Sequence, residues 1–287
     1  MRICKVCPAL FALFLIVAVS LPSLAATTFG PGTHLVGSEI KPGVYRTEGE
    51  ITYFARLSGL TDQLSDIIAN EASPPPPVLV EIKSTDVAFE SKGPGQWTLV
   101  DGSYQPDIKT SFGPGWWFVG IDITPGLYRT EAYVRYFARL SGLGGELQDI
   151  IANAVPSQGP VVVEIKASDL AFRSKTDGIW TLIDDSYSPE IRNTFGDGYW
   201  IVNRDIMPGI YQTKDDVQYY ARLSGFGNQL EDIIVNAASV TGGAVIKILD
   251  SDVGFLTKGG AQWSLIEIEE TKNLLPGVLM LLLDDEE

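Results

Sequence analysis

Three arginines, Arg56, Arg139 and Arg222, lie 83 residues apart, each inside the same apolar word of Tyr, an aromatic, Ala, Arg, Leu, Ser and Gly. A guanidinium in such surroundings needs carboxylate or carbonyl acceptors. Carboxylates recur with it at fixed offsets: Asp66, Asp149 and Asp232, then Asp86, Asp169 and Asp252. Either Asp66 or Asp86 serves as an architectural partner that pins the segment after the arginine to a sheet, or the fork clamps an external anion. Recurrence in every copy favours architecture, because a single active site has no reason to appear three times.

The other chemical candidates do not recur. Trp116-Trp117 and Tyr199-Trp200 occupy the places that Thr33-His34 hold in the first copy. Adjacent strand residues face opposite sides, so one ring of each pair enters a core while its neighbour is exposed or meets a joint. An exposed ring would be a platform for a sugar face or a partner protein. His34, the only histidine, has no counterpart in the later copies. No Gly-x-Ser-x-Gly or His-Glu-x-x-His arrangement occurs, and the recurring Ser58-Gly59 has no base beside it. No catalytic residue, cofactor or metal set is assigned. The many carboxylates leave a glycosidase-type acid pair and a calcium loop as open alternatives.

These residues are carried by a repeat. Pro42-Gly43, Pro125-Gly126 and Pro208-Gly209 share the 83-residue spacing, as do Trp97, Trp180 and Trp263. Residues 29–101, 112–184 and 195–267 superpose without insertion, with ten-residue joints between them. Within the first copy, Leu35-Val36, Val44 to Thr47, Ile51 to Ser58, Val78 to Lys83, Val87 to Ser91 and Trp97 to Val100 read as about six short strands. A Pro-Gly turn suggests that the first two form a hairpin. Leu60, Leu64, Ile67 and Ile68 fall at helical spacing, which predicts one short helix per copy. The fold class expected is mainly β: three tandem antiparallel β-sandwich or barrel-like modules, each with one short helix, around Tyr45, Phe89 and Trp97.

The ends have their own signals. Arg2 and Lys5 precede an apolar run from Ala9 to Val19, and Ser23-Leu24-Ala25 fits a cleavage motif, so residues 1–25 read as a signal peptide. Cys4 and Cys7 fall inside it, and the mature chain is expected to lack cysteine and any spanning segment. Pro74 to Pro77 reads as an extended tether. Residues 268–287 form an apolar and acidic tail whose apolar run, Leu274 to Leu283, is too short to cross a bilayer and suits docking or self-association. A net charge of −15 opposes nucleic-acid binding.

The order of words in Val119 to Thr130, Tyr136 to Gly142, Asp149 to Asn153 and Gly178 to Thr181 resembles a repeated module of secreted and cell-envelope bacterial proteins. The resemblance spans nearly all of the chain from Phe29 to Glu267 and implies an extracellular or envelope location. Versions of that module carry a cysteine pair at positions held here by Thr52 and Pro94, Arg135 and Asp177, and Gln218 and Gly260. The resemblance therefore implies a lost covalent clip, replaced in the middle copy by an exposed ion pair. The function expected is non-enzymatic, multivalent binding of a cell-wall glycan, matrix component or protein. A structural spacer is the alternative, and a glycan hydrolase stands behind both.

Overall fold

The computed structural model describes residues 25–156 and 158–266. The signal peptide to its last residue but one, the tail at 268–287 and the self-association assigned to that tail therefore lie outside the described residues.

Each copy builds two four-stranded antiparallel sheets. In the first, β1 (Thr28–Phe29), β8 (Trp97–Leu99), β3 (Gly43–Thr47) and β6 (Val78–Ile82) make one sheet in that order. The second is β2 (Gly32–Leu35), β7 (Ala88–Lys92), β4 (Tyr53–Leu57) and β5 (Ile67–Ala72). Only β4 and β5 are consecutive and paired; every other connection crosses from one sheet to the other. The Pro42-Gly43 and Pro94-Gly95 turns are such crossings, so the expected hairpin of Leu35-Val36 with Val44 to Thr47 does not form. The same eight strands recur from Ser111 to Leu182 and from Thr194 to Leu265.

Alternation along these strands puts one row of side chains between the sheets. Phe29, Tyr45, Phe54, Val80, Ile82, Phe89 and Trp97 fill the first core. Trp97 stands edge-on to Phe54 and Phe89 at 5.7 and 5.4 Å between ring centres, an arrangement that adds to plain area burial. Its indole N–H donates to Ser91 Oγ at 2.9 Å, and Trp180 and Trp263 donate likewise to Ser174 and Thr257. The buried ring nitrogen is thus satisfied in every copy. Tyr45, Tyr128 and Tyr211 send their hydroxyls to the carbonyls of Lys41, Thr124 and Met207, four residues back, and so fasten the Pro-Gly crossing to the core.

The expected helix is replaced by a single 3-10 turn, Leu64–Asp66, followed at once by β5. Two local causes decide this. The Asp66 carboxylate accepts from Thr61 N and Thr61 Oγ, both at 2.7 Å, closing the loop on itself. The β-branched Ile67 and Ile68 then find a strand partner in β4, where pairing runs from Tyr53 with Ala72 to Leu57 with Ile67. Leu64 is consequently not on a core face but 86% exposed, as is Leu147, and Leu230 is 87% exposed.

The modules also share their interiors. Trp116, Phe118, Leu140 and Leu143 from the second copy belong to the first copy's core, and Tyr199, Ile201, Leu223, Phe226 and Leu256 from the third belong to the second's. Backbone hydrogen bonds cross each joint: Trp116 N to Pro77 O at 2.7 Å and Glu81 N to Leu143 O at 2.9 Å, then Tyr199 N to Pro160 O at 2.8 Å and Glu164 N to Phe226 O at 2.9 Å.

Trp180 is fully buried in the central module, and Trp180→Ala should cost about 3–5 kcal/mol in denaturant unfolding. Burial pushes the Tyr128 and Tyr211 hydroxyls from 10.0 up to about 12. Their protonated forms are favoured by the folded state, so stability should be intact below pH 10 and fall as pH rises toward 12, readable by circular dichroism at fixed ionic strength.

Candidate functional site

The arginines resolve first. Arg56 Nε and Nη2 grip Asp86 Oδ2 and Oδ1 at 2.8 and 2.7 Å, and Arg139 holds Asp169 at 2.7 and 2.8 Å. Arg222 repeats the fork on Asp252 at 2.7 and 3.0 Å. Each aspartate also accepts from a backbone N–H three residues before it, at Lys83, Lys166 and Leu249. Burial opposes the charge on Arg56, but the Asp86 carboxylate outweighs it and holds the guanidinium above its ordinary value. Asp86 is thus the partner and Asp66 is not; Asp66, Asp149 and Asp232 instead accept from backbone N–H groups of their own loops.

The third nitrogen of the first two forks reaches outward. Arg56 Nη1 donates to Gly144 O at 2.6 Å and Arg139 Nη1 to Gly227 O at 2.8 Å, so one buried pair ties two neighbouring modules together. A second polar joint lies nearby. Arg46 donates to Asp122 at 3.0 Å and Arg129 to Asp205 at 2.7 Å. Tyr104 and Tyr187, from the linkers, donate to the same carboxylates at 2.5 Å. Arg46 lies 5.4 Å from the Tyr104 ring centre and 5.5 Å from that of Trp117. Arg129 lies 5.7 Å from Tyr187 and 5.9 Å from Trp200.

These joints account for the aromatic pairs. Trp117 and Trp200 enter the core of their own module, while Trp116 and Tyr199 enter that of the module before. All four rings are buried, so the expectation of a solvent-facing platform is corrected: the partner of the second ring is the neighbouring copy. The first copy carries Thr33 and His34 at these places. Thr33 there is exposed, and His34 is half-buried against Phe29 with Nε2 3.0 Å from Gly30 O. The ends of the array depart from the joint code in the same way. Glu39 stands where the later copies have Asp122 and Asp205, and Gln212 stands where the earlier ones have Arg46 and Arg129. That difference is visible in the sequence, whereas the carbonyl acceptors Gly144 and Gly227 leave no side-chain signal.

A cleft between the outer face of β4, or its counterpart, and the loop tipped by the exposed leucine opens in the first and third copies. In the first copy it is lined by Thr33, Tyr53, Asp62, Leu64, Glu90 and Lys92. Lys92 pairs with Glu90 at 3.0 Å and lies 5.0 Å from the Tyr53 ring centre. In the second copy the matching positions are closed from within: Arg173 lies 4.6 Å from the Trp116 ring centre and 5.2 Å from that of Tyr136. Glu71 of the first module pairs with both Arg173 and Lys175. In the third copy a cavity of about 150 Å³ is bounded by Tyr199, Tyr219, Phe226, Asn228, Asp232 and Leu256. The loop turn at its rim needs a positive φ, met by Asp62 at 58°, Gly145 at 77° and Asn228 at 58°.

Arg135 and Asp177 approach to 2.8 Å as an exposed pair. Such a pair contributes no more than about 1 kcal/mol. Among the described residues no group of three His, Cys, Asp or Glu side chains is placed to hold a metal ion, and no helix is long and apolar enough to cross a membrane.

Three fused two-sheet modules of this kind define a tandem-repeat β architecture. The model of the Rv1352-like extracellular domain matches residues 26–98, 109–181 and 192–264, and the chain belongs to that family. No curated protein and no solved structure matches it.

Arg139→Met, which leaves the Asp169 carboxylate buried and unpaired, should destabilise the chain by about 3–5 kcal/mol. Replacing both partners, Arg139→Met with Asp169→Leu, should recover much of that loss in the same urea titration.

Proposed function

We propose that this extracellular chain is a non-enzymatic binding protein that engages a protein partner through the leucine-tipped loop presented once by each module. The observation that carries this reading is the exposure of Leu64, Leu147 and Leu230, each at 86–87%, in three loops whose own carboxylate fixes their shape. A large aliphatic side chain held out in water by a closed loop has an apolar pocket as its natural complement. Glycan faces favour aromatic platforms, and the aromatic pairs are consumed by the joints. The six aspartates that recur in every copy are likewise engaged, in arginine forks or in loop closure.

Because the copies share interiors, they move together, and a partner with several pockets meets the loops at fixed separations. That arrangement multiplies a weak contact without new chemistry. The shared interiors also favour a second reading, a stiff spacer whose loops bind nothing.

An immobilised extracellular fraction from the producing cells separates the two. Leu64→Ser, Leu147→Ser and Leu230→Ser should each lower retention a fewfold, and the triple variant by about a hundredfold or more. Equal retention of the triple variant and the unmodified chain would leave only the spacer.

A further inference from the structure

The tyrosine that opens the arginine-bearing word is covered by a cation of the chain itself in two copies out of three. Over Tyr53 the cation is Lys92, and over Tyr136 it is Arg173, which also stacks on Trp116. The third copy changes the covering residue: Leu256 replaces Arg173, Tyr199 replaces Trp116, and Ala154 stands where Glu71 held the guanidinium from the previous module. Among the described residues no cation covers Tyr219, and a cavity of about 150 Å³ opens against Tyr199, Tyr219 and Leu256. Two of the rings that bound it, Tyr199 and Tyr219, are the counterparts of the two that hold a guanidinium in the middle copy, Trp116 and Tyr136.

The remaining walls suit the same group. Asp232 brings a carboxylate to the cavity, with one oxygen taken by Gln229 N at 2.9 Å. Asn228 and Gln229 bring side-chain amides, and Asn228 Oδ1 already accepts from the Tyr199 hydroxyl at 2.9 Å, which fixes that ring. Leu223, Phe226 and Ile233 close the apolar side against an alkyl stem. Lys258 follows the pattern of Lys92 and Lys175 in sequence, yet burial lowers its pKa and Asp197 is the carboxylate acting on it. The fold already places a guanidinium between two rings at Arg46, Arg129 and Arg173.

We infer that the cavity of the third module is a receptor for an arginine side chain presented by an extracellular peptide or protein, stacked on Tyr219 and Tyr199 and paired with Asp232. Planar stacking and a carboxylate together select guanidinium over ammonium, whose compact charge is more strongly hydrated. The site needs one module and one side chain; Leu230 lines it as well as tipping the third loop, whereas Leu64 and Leu147 lie in the other two copies.

The test uses the full chain with ¹³C-labelled tyrosine rings, titrated with N-acetyl-arginine methylamide. Saturable shifts are expected at Tyr199 and Tyr219, with Tyr53 and Tyr136 unmoved. The citrulline analogue, flat but neutral, should bind at least about tenfold more weakly, as should the lysine analogue. Leu256→Arg, which installs the middle copy's own occupant, should abolish the shifts while the Tyr136 signal reports an intact neighbour. Should that variant fail to fold, the three-ligand comparison on the unmodified chain decides alone. Equal affinity for arginine and citrulline, shifts spread over all tyrosines, or no shift at millimolar ligand would overturn the assignment. Persistence of arginine binding in the double variant Leu64→Ser with Leu147→Ser, neither of which lines the cavity, would show the pocket to be independent of the loops of the other copies; its loss there would overturn that independence.

Discussion

The structure depends on a guanidinium that has three obligations and meets them all in the dark. Arg56 is 1% exposed, yet its fork is filled by Asp86 and its last nitrogen by a carbonyl of the next module. A buried ion pair is weak evidence for stability taken alone, since desolvation offsets most of its attraction. Its effect here is to impose geometry: an unmet nitrogen would cost more than the pair returns, so the neighbouring loop has one admissible position. The strand, the loop closed by Asp149 and the joint are thereby fixed by one side chain.

Around that constraint the rest of the packing is arranged so that the cores of the first two copies are completed by the copy that follows. A sandwich of this size buries a modest fraction of its chain, and the first two modules borrow apolar side chains from their successors. Trp116 and Tyr199 are the clearest cases, lying in one module by sequence and in another by burial. Tandem solenoids share this economy, in which nearest-neighbour contacts carry stability that no isolated unit has.

Much of this was legible in the residues. The repeat, its phase, the β class and the architectural role of Arg56, Arg139 and Arg222 follow from spacing and from the demands of a charge in apolar company. Leu60, Leu64, Ile67 and Ile68 satisfy helical periodicity, but a local hydrogen bond from Thr61 to Asp66 and pairing with the preceding strand β4 override it. The hairpin failed for a related reason, since a Pro-Gly turn fixes a change of direction without saying which sheet the chain joins next. The acceptors at Gly144 and Gly227 are backbone atoms and carry no compositional trace, and the cavity beside Tyr219 exists only relative to what Arg173 does in another copy.

The terminal substitutions at Glu39 and Gln212 bear on how such a gene can change length. Removing the central unit would bring Arg46 to face Asp205 and Arg56 to face the carbonyl of Gly227, so both polar contacts would re-form, although Glu71 would meet Leu256 in place of Arg173. Losing either outer unit would instead strand a charged joint residue at a new terminus. Recombination that adds or deletes a whole interior copy is therefore structurally silent at these contacts, whereas trimming from an end is not.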